Sequence, residues 1–149
     1  MRISLSPKDR RVCALSALGV ALLISSSCAS LAERFGGQAK AANEISAIAS
    51  LRAIAAAQTN YSVQHGQYAA SLEALGSLIP ADLTAGEKSG YRFTLKGSQS
   101  EFAATAVPTT PGSSGDRSFF EDATLVIRES TGPNPATADS PDIEKRLGK

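Results

Sequence analysis

Cysteine, histidine and tryptophan are scarce in this chain, and their scarcity excludes several classes of protein. The 149 residues include two cysteines, one histidine and no tryptophan. Both cysteines, Cys13 and Cys28, lie in the first 28 residues. The rest of the chain can therefore hold neither a disulfide framework nor a zinc site with several thiolates. A domain built from that part depends on its hydrophobic core.

Charge is also sparse, which argues against a nucleic-acid partner. Charged residues make up 19% of the chain, and the formal net charge is +1. Basic residues outnumber acidic ones only near the start, where Arg2, Lys8, Arg10 and Arg11 are accompanied by Asp9 alone. The remainder has no basic patch interleaved with aromatic residues, so the sequence predicts no binding of nucleic acid.

Sequence motifs for catalysis are missing as well. The chain contains no glycine-rich phosphate loop, no Gly-x-Ser-x-Gly and no His-Glu-x-x-His. His65, the only histidine, lies at the end of a predicted helix, where a cation favours the helix dipole. This position favours a capping role over a catalytic one. The sequence therefore predicts that the protein is not an enzyme and has no catalytic residues.

The first 28 residues have the layout of an export signal. A basic start is followed by an apolar run over residues 12–24 and by small residues over 25–29. The run is shorter than the roughly 20 residues that a membrane-spanning helix needs. Because the basic flank stays in the cytoplasm, the chain beyond the apolar run is exported. We expect the protein in the periplasm or anchored to a membrane of a bacterial cell envelope.

The sequence leaves open how this segment ends. Ser26-Ser27-Cys28 resembles the end of a bacterial lipobox, in which the cysteine is acylated, although Ser25 stands where lipoproteins usually carry leucine. Cleavage after Ala29 or Ala32 would instead release a soluble protein. Arg10-Arg11 raises a twin-arginine route, but the bulky apolar pair expected after it is missing. Cys28 is the candidate lipidation site.

A flexible joint and then one long helix are predicted next. Gly36-Gly37 is typical of a joint, which makes residues 29–41 a linker. Asn43 fits a helix N-cap, and Glu44 in the first turn suits the helix dipole. His65-Gly66 is a helix stop. Apolar residues recur at helical spacing between these ends, at Ile45, Ile48, Leu51, Ile54 and Tyr61.

The second half of the chain predicts an antiparallel sheet. Helical spacing from Leu72 to Ile79, ended by Pro80, indicates a short helix first. Two runs over residues 91–95 and 102–106 then alternate with a period of two around a Gly-Ser turn, which is typical of a β-hairpin.

Short strands are predicted over residues 117–120 and 124–128, and an extended or disordered tail from Thr131. One helix covering one face of an antiparallel sheet gives an α+β domain over residues 42–130.

Several of these segments resemble the globular headpiece of a type IV pilin or of a type II secretion pseudopilin. The resemblance covers about residues 40–143 and depends on the order and spacing of its pieces. Residues 42–52 and Ala57-Gln58-Thr59-Asn60-Tyr61 are similar to the second half of the long pilin helix. The sequel from Gly66-Gln67-Tyr68 to Gly76 is similar too, as are the sheet segments Ser89-Gly90-Tyr91-Arg92-Phe93-Thr94 and Arg117-Ser118-Phe119-Phe120-Glu121-Asp122.

The resemblance implies a structural or interaction protein linked to a type II secretion or type IV pilus-like system. Its partners would be proteins of that apparatus, together with the membrane through the signal or a lipid anchor. Some secretion pseudopilins hold calcium, so Asp116, Glu121 and Asp122 are weak candidate ligands. Clustered acids on a loop are more often simply solvated, and no cofactor is otherwise predicted.

The chain departs from this family at its start. The family's cleavage motif after a glycine is missing, and Gly36-Gly37 is expected to interrupt the helix. A main filament subunit is therefore not expected. The alternative function is that of a periplasmic lipoprotein that binds a small ligand in a groove between helix and sheet.

Overall fold

A long helix and a five-stranded sheet are the main elements of the computed structural model. The structure describes the backbone of residues 9–132 and 134–147, with side chains for 36–132 and 134–145. The chain divides into two units, Met1–Gln38 and Ala39–Lys149. Helix α1 spans Asp9–His65. The later helical elements are α2 (Leu72–Leu75), a 3-10 turn (Gly76–Leu78), α3 (Ala81–Thr84) and α4 (Ile143–Leu147).

All neighbouring strands of the sheet are antiparallel, and their order in space follows their order in sequence. The strands are β1 (Glu87–Lys88), β2 (Tyr91–Gly97), β3 (Phe102–Pro108), β4 (Arg117–Asp122) and β5 (Arg128–Thr131). The part of α1 that belongs to the second unit packs on one face of this sheet. The prediction of an α+β domain with one long helix on a small antiparallel sheet is confirmed.

The core lies between α1 and the sheet, because each contributes one apolar face. Leu51 and Ile54 of the helix are fully buried, and so are Tyr91 of β2 and Phe119 of β4. Strands β2 and β3 alternate buried and more exposed residues along their length, as the hairpin prediction requires. Burial of one large apolar side chain contributes about 1.5–3 kcal/mol, so this interface is the main source of stability.

The start of α1 corrects the predicted linker. The helix continues through Gly36 and Gly37, and Asn43 lies within it rather than at its N-cap. Each glycine costs about 1 kcal/mol relative to alanine in a helix, which weakens a helix without forbidding it. The helix ends at His65 as predicted, and Gly66 follows with a φ of +71°.

The first unit carries the predicted export segment. The side chains of residues 12–24 and of Cys28 lie outside the described side chains, so the signal and the lipidation site stay predictions. Within the described part of the chain, no helix has both the length and the apolar character needed to cross a membrane.

The fifth strand lies further along the chain than the sequence predicted. No strand forms over residues 124–127: residues 123 and 124 are in a turn, residues 125–127 have no regular structure, and β5 begins at Arg128. Asp122 causes this difference, because its Oδ1 atom accepts a hydrogen bond from the amide of Thr124 at 2.9 Å. Leu125 then adopts a φ of +60°, which ends the extended backbone.

The C-terminal segment 134–147, here called the strap, is attached to the sheet. Ala136 is buried, and its amide donates to Ser118 Oγ at 2.8 Å. Further along, Pro141 accepts a bond from the Glu129 amide at 2.9 Å, and the buried Ile143 donates to the Ile127 carbonyl at 3.1 Å. The tail predicted to be extended or disordered therefore contains buried residues and ends in α4. The sequence did not indicate this, because Ala136 and Ile143 are isolated apolar residues in a segment rich in proline and polar residues.

Candidate interaction site at the β3–β4 loop

The loop between β3 and β4 is folded by its own hydrogen bonds. The amides of Ser113 and Ser114 both donate to the carbonyl of Thr110, at 3.0 and 2.9 Å. The amide of Gly112 donates to the Gly115 carbonyl at 2.9 Å. Residues 109–113 are nevertheless exposed. The loop therefore presents hydroxyl and backbone groups on an ordered frame.

Helix α1 holds this loop from one side. The side-chain amide of Asn43 donates to the Ser114 carbonyl at 3.0 Å. Lys40 forms an ion pair with Asp116 at 2.9 Å. The Asp116 amide in turn donates to Glu44 Oε1 at 2.9 Å. Contacts from successive turns of one helix fix the loop, so its position follows that of the helix.

A partly buried ion-pair network lies next to the loop. Arg117, the first residue of β4, donates to Glu44 Oε2 through Nε at 3.0 Å and through Nη2 at 2.8 Å. Its Nη1 atom donates to Glu129 on β5 at 2.5 Å. Both glutamates are buried. The guanidinium thus joins the helix to two strands, and its planar donor groups suit such paired contacts.

Arg117 and Tyr91 have shifted pKa values in this environment. Burial acts to lower the pKa of Arg117, but hydrogen bonds to Glu44 and Glu129 outweigh it and raise that pKa. Burial, with the nearby charge of Glu44, raises the pKa of Tyr91. The arginine therefore stays charged and the phenol stays neutral, and the Tyr91 hydroxyl donates to the Arg117 carbonyl at 2.8 Å.

Close packing against Tyr91 requires a glycine in the loop. A Cβ atom on Gly115 would lie 2.0 Å from the Tyr91 hydroxyl oxygen. A Cβ atom on Gly90, in the β1–β2 turn, would similarly lie 2.8 Å from Cβ of Ser114. The loop can approach the sheet only because both positions lack a side chain.

The three acids proposed as calcium ligands lie in different surroundings. Asp116 pairs with Lys40, and Asp122 accepts bonds within its own turn. Glu121 is buried and faces α1, because alternation along β4 puts it on the opposite face of the sheet from Asp122. Across the described residues, no group of three or more acids, histidines or cysteines could hold a metal ion.

The other residues singled out from the sequence lie near the end of α1. His65 is the last residue of the helix, exposed, and its ring contacts that of Tyr61 with 4.1 Å between centroids. Tyr68 packs on Phe102 with 5.1 Å between ring centroids. Both tyrosines are partly buried and pack against the margin of the core.

The sequence pattern does not predict that Glu44 is buried. It places this residue in the first turn of a helix, but the side chain is buried and accepts four hydrogen bonds from Asp116 and Arg117. A signal was available, because residues 44, 47, 51, 54 and 58 share one helical face. A carboxylate at one end of that apolar stripe indicates a buried partner, which the sequence alone does not identify.

The expected ligand groove between helix and sheet is occupied by side chains. Leu51, Ile54, Tyr91, Phe93 and Phe119 are each at most 3% exposed. One surface depression lies instead on the opposite face of the sheet, where Lys96, Phe120, Asp122 and Ala138 line it.

No protein-family model matches the chain, and no curated protein matches it either.

Proposed function

We propose that this chain is an exported, pilin-like structural protein that acts through protein contacts in the bacterial cell envelope. Its partners would belong to a type II secretion or type IV pilus-like apparatus. The resemblance of residues 40–143 to pilin headpieces and the export layout of the first 28 residues motivate this proposal. Cys28, if acylated, would add a lipid anchor.

The ordered β3–β4 loop is the observation that supports a contact function best. Residues 109–113 are exposed while the residues on either side are tied to α1 and to β2. A rigid loop loses little conformational entropy when it binds a protein, which favours recognition. A surface of this kind suits contact with a folded partner.

The rival function, binding of a small ligand, would require a concave apolar pocket with a few polar groups. The helix–sheet interface offers no such space in the described residues, because core side chains such as Leu51, Ile54 and Phe93 fill it. Protein contact is therefore the function that we favour.

Co-purification tests this proposal. The full chain, tagged at its C-terminus, is isolated from the solubilised envelope of the producing cells, and bound proteins are identified by mass spectrometry. We expect components of a secretion or pilus-like apparatus. Ser113→Trp, at the exposed loop, should lose them, whereas Ser100→Trp, at the exposed β2–β3 turn, should retain them. A co-purified small molecule without protein partners would favour the rival function.

A further inference from the structure

A buried carboxyl that the proposed function does not use lies on β4, near the point where the strap is attached to the sheet. Glu121 of β4 is 2% exposed, and its Oε2 atom has no hydrogen-bond partner among the described residues. Phe120 pairs with Arg128, so the same register brings Ile127 beside Glu121. Ile127 accepts the backbone bond from Ile143 of the strap. The carboxyl therefore lies where strand, helix and strap meet.

Few charged groups face Glu121. From α1 it is approached by Arg52, whose guanidinium forms an exposed ion pair at 3.6 Å with Glu144 of the strap. Glu129 of β5 lies on the same face of the sheet but is bonded to Arg117. Asp122 lies next in sequence on the opposite face. The cation that approaches Glu121 from α1 is thus already paired with the strap.

Burial favours the neutral form of this carboxyl. It raises the pKa of Glu121 from 4.5 to about 7; the Arg52 charge opposes the shift and the Asp122 charge adds to it. The folded state therefore binds more protons than the unfolded state between these two values. Stability consequently falls as the pH rises through about 7, and it is greatest below the unfolded value.

We propose that Glu121 and the strap form a pH-sensitive latch, in which the strap covers the carboxyl while it is protonated and lifts from β5 when it ionises. The ionised group needs water or a cation, and the cation that approaches it from α1, Arg52, is already paired with Glu144 of the strap. The strap has few anchors, because only Ala136 and Ile143 among its described side chains are buried, and a few hydrogen bonds and that exposed ion pair supply the rest. Helix α1, by contrast, is fixed by the core and by the Glu44–Arg117 contacts. Opening would break the strap's backbone bonds with Glu129, at the edge of β5, and with Ile127, just before that strand.

Hydrogen exchange on the full chain, corrected for the intrinsic pH dependence of exchange, tests the latch. Between pH 5 and pH 8 we expect protection of strap amides such as Ala136 and Ile143 to fall by at most about 70-fold, the linkage limit for a carboxyl pKa of 4.5 with the strap open and of about 7 with it closed. Residues 47–58 of α1 should stay protected. Glu121→Gln keeps the carboxyl site neutral and should retain strap protection at pH 8.

Two control variants each remove a titratable group that lies away from the latch. Glu101→Gln alters an exposed acid of the β2–β3 turn, and His65→Gln removes the only histidine, a residue type that changes charge in this range. Both should keep the wild-type loss of strap protection. Equal protection of the wild-type strap at both pH values, or an equal loss in Glu121→Gln, would overturn the latch.

A measurement on the wild-type chain tests the latch even if the Glu121→Gln variant fails to fold. The carboxyl carbon of Glu121 can be followed by NMR as the pH is raised. We expect a titration midpoint at about 6 or above, from a folded pKa of about 7. A midpoint below that would contradict the latch, because the carboxyl would then be ionised under the closed strap.

Discussion

The side chain of Gln58 forms two hydrogen bonds with the backbone of Ala69. Its Nε2 atom donates to the Ala69 carbonyl at 2.9 Å, and its Oε1 atom accepts from the Ala69 amide at 2.8 Å. Gln58 is fully buried. These two bonds hold the segment that follows α1 against the end of β2. The contact there is close, because a Cβ atom on Gly97 would lie 2.1 Å from the Ala69 carbonyl oxygen.

Gln58→Leu should destabilise the domain, because it leaves the amide and carbonyl of Ala69 buried without partners. An unsatisfied buried group costs about 1–3 kcal/mol, so we expect a loss of about 2–4 kcal/mol. Gln64→Leu, at an exposed position of the same helix, is the matched control and should change stability little. Urea denaturation of both variants checks this, and equal midpoints would contradict the structural role of Gln58.

Leu51→Asp should destabilise the domain more strongly. The substitution buries an unpaired charge at a fully buried position between helix and sheet, for which we expect a loss above about 4 kcal/mol. Ala53→Asp introduces the same charge on the exposed face of α1 and controls for helix propensity. Thermal unfolding followed by circular dichroism measures both, and an unmoved Leu51→Asp transition would show that α1 does not pack on the sheet.

Arg117→Ala should destabilise the domain more than Lys40→Ala, which breaks only the surface ion pair with Asp116. Removing the guanidinium, whose side chain is 32% exposed, takes charged hydrogen bonds from the buried Glu44 and Glu129, which should cost about 2–3 kcal/mol. Lys40→Ala breaks an ion pair whose Asp116 side chain is 51% exposed, and should cost no more than about 1 kcal/mol. Denaturation at two salt concentrations distinguishes them: the Lys40 effect should shrink with salt. Similar losses in both variants would refute the structural importance of Arg117.

Cys28 provides a test of membrane anchoring. Labelled fatty acid fed to the producing cells should enter the wild-type protein and be absent from Cys28→Ser. Cys13→Ser, which alters the other cysteine, should still be labelled. An unlabelled wild-type protein recovered in the soluble fraction would exclude acylation and leave ordinary signal cleavage after Ala29 or Ala32.

Periodic patterns explain what the sequence could predict. The stripe from Leu51 to Ile54 and the alternation in β2 and β3 each depend on one face being apolar, so the helix, the hairpin and most of the core were predictable. The position of β5 was not, because the hydrogen bond that the Thr124 amide donates to the Asp122 side chain and the φ of Leu125 decide where extended backbone ends.

Buried polar groups were the second feature that could not be predicted from the sequence. Patterns assign charged residues to solvent, yet Glu44, Glu121 and Glu129 are buried. The partners of Glu44 lie more than 70 positions away in sequence, at Asp116 and Arg117. The strap was missed for the same reason, because its attachment depends on Ser118 and Ile127, which local composition cannot reveal.

Crosslinking inside the producing cells tests most directly whether the protein acts through contacts made by the β3–β4 loop. A photoreactive amino acid replaces Ser113 in the loop or, as the matched control, Ser100 in the β2–β3 turn of the full chain. We predict a specific adduct from position 113 with a protein of a secretion or pilus-like apparatus, and none from position 100. Adducts absent at both positions, or of equal yield at both, would contradict the proposed function.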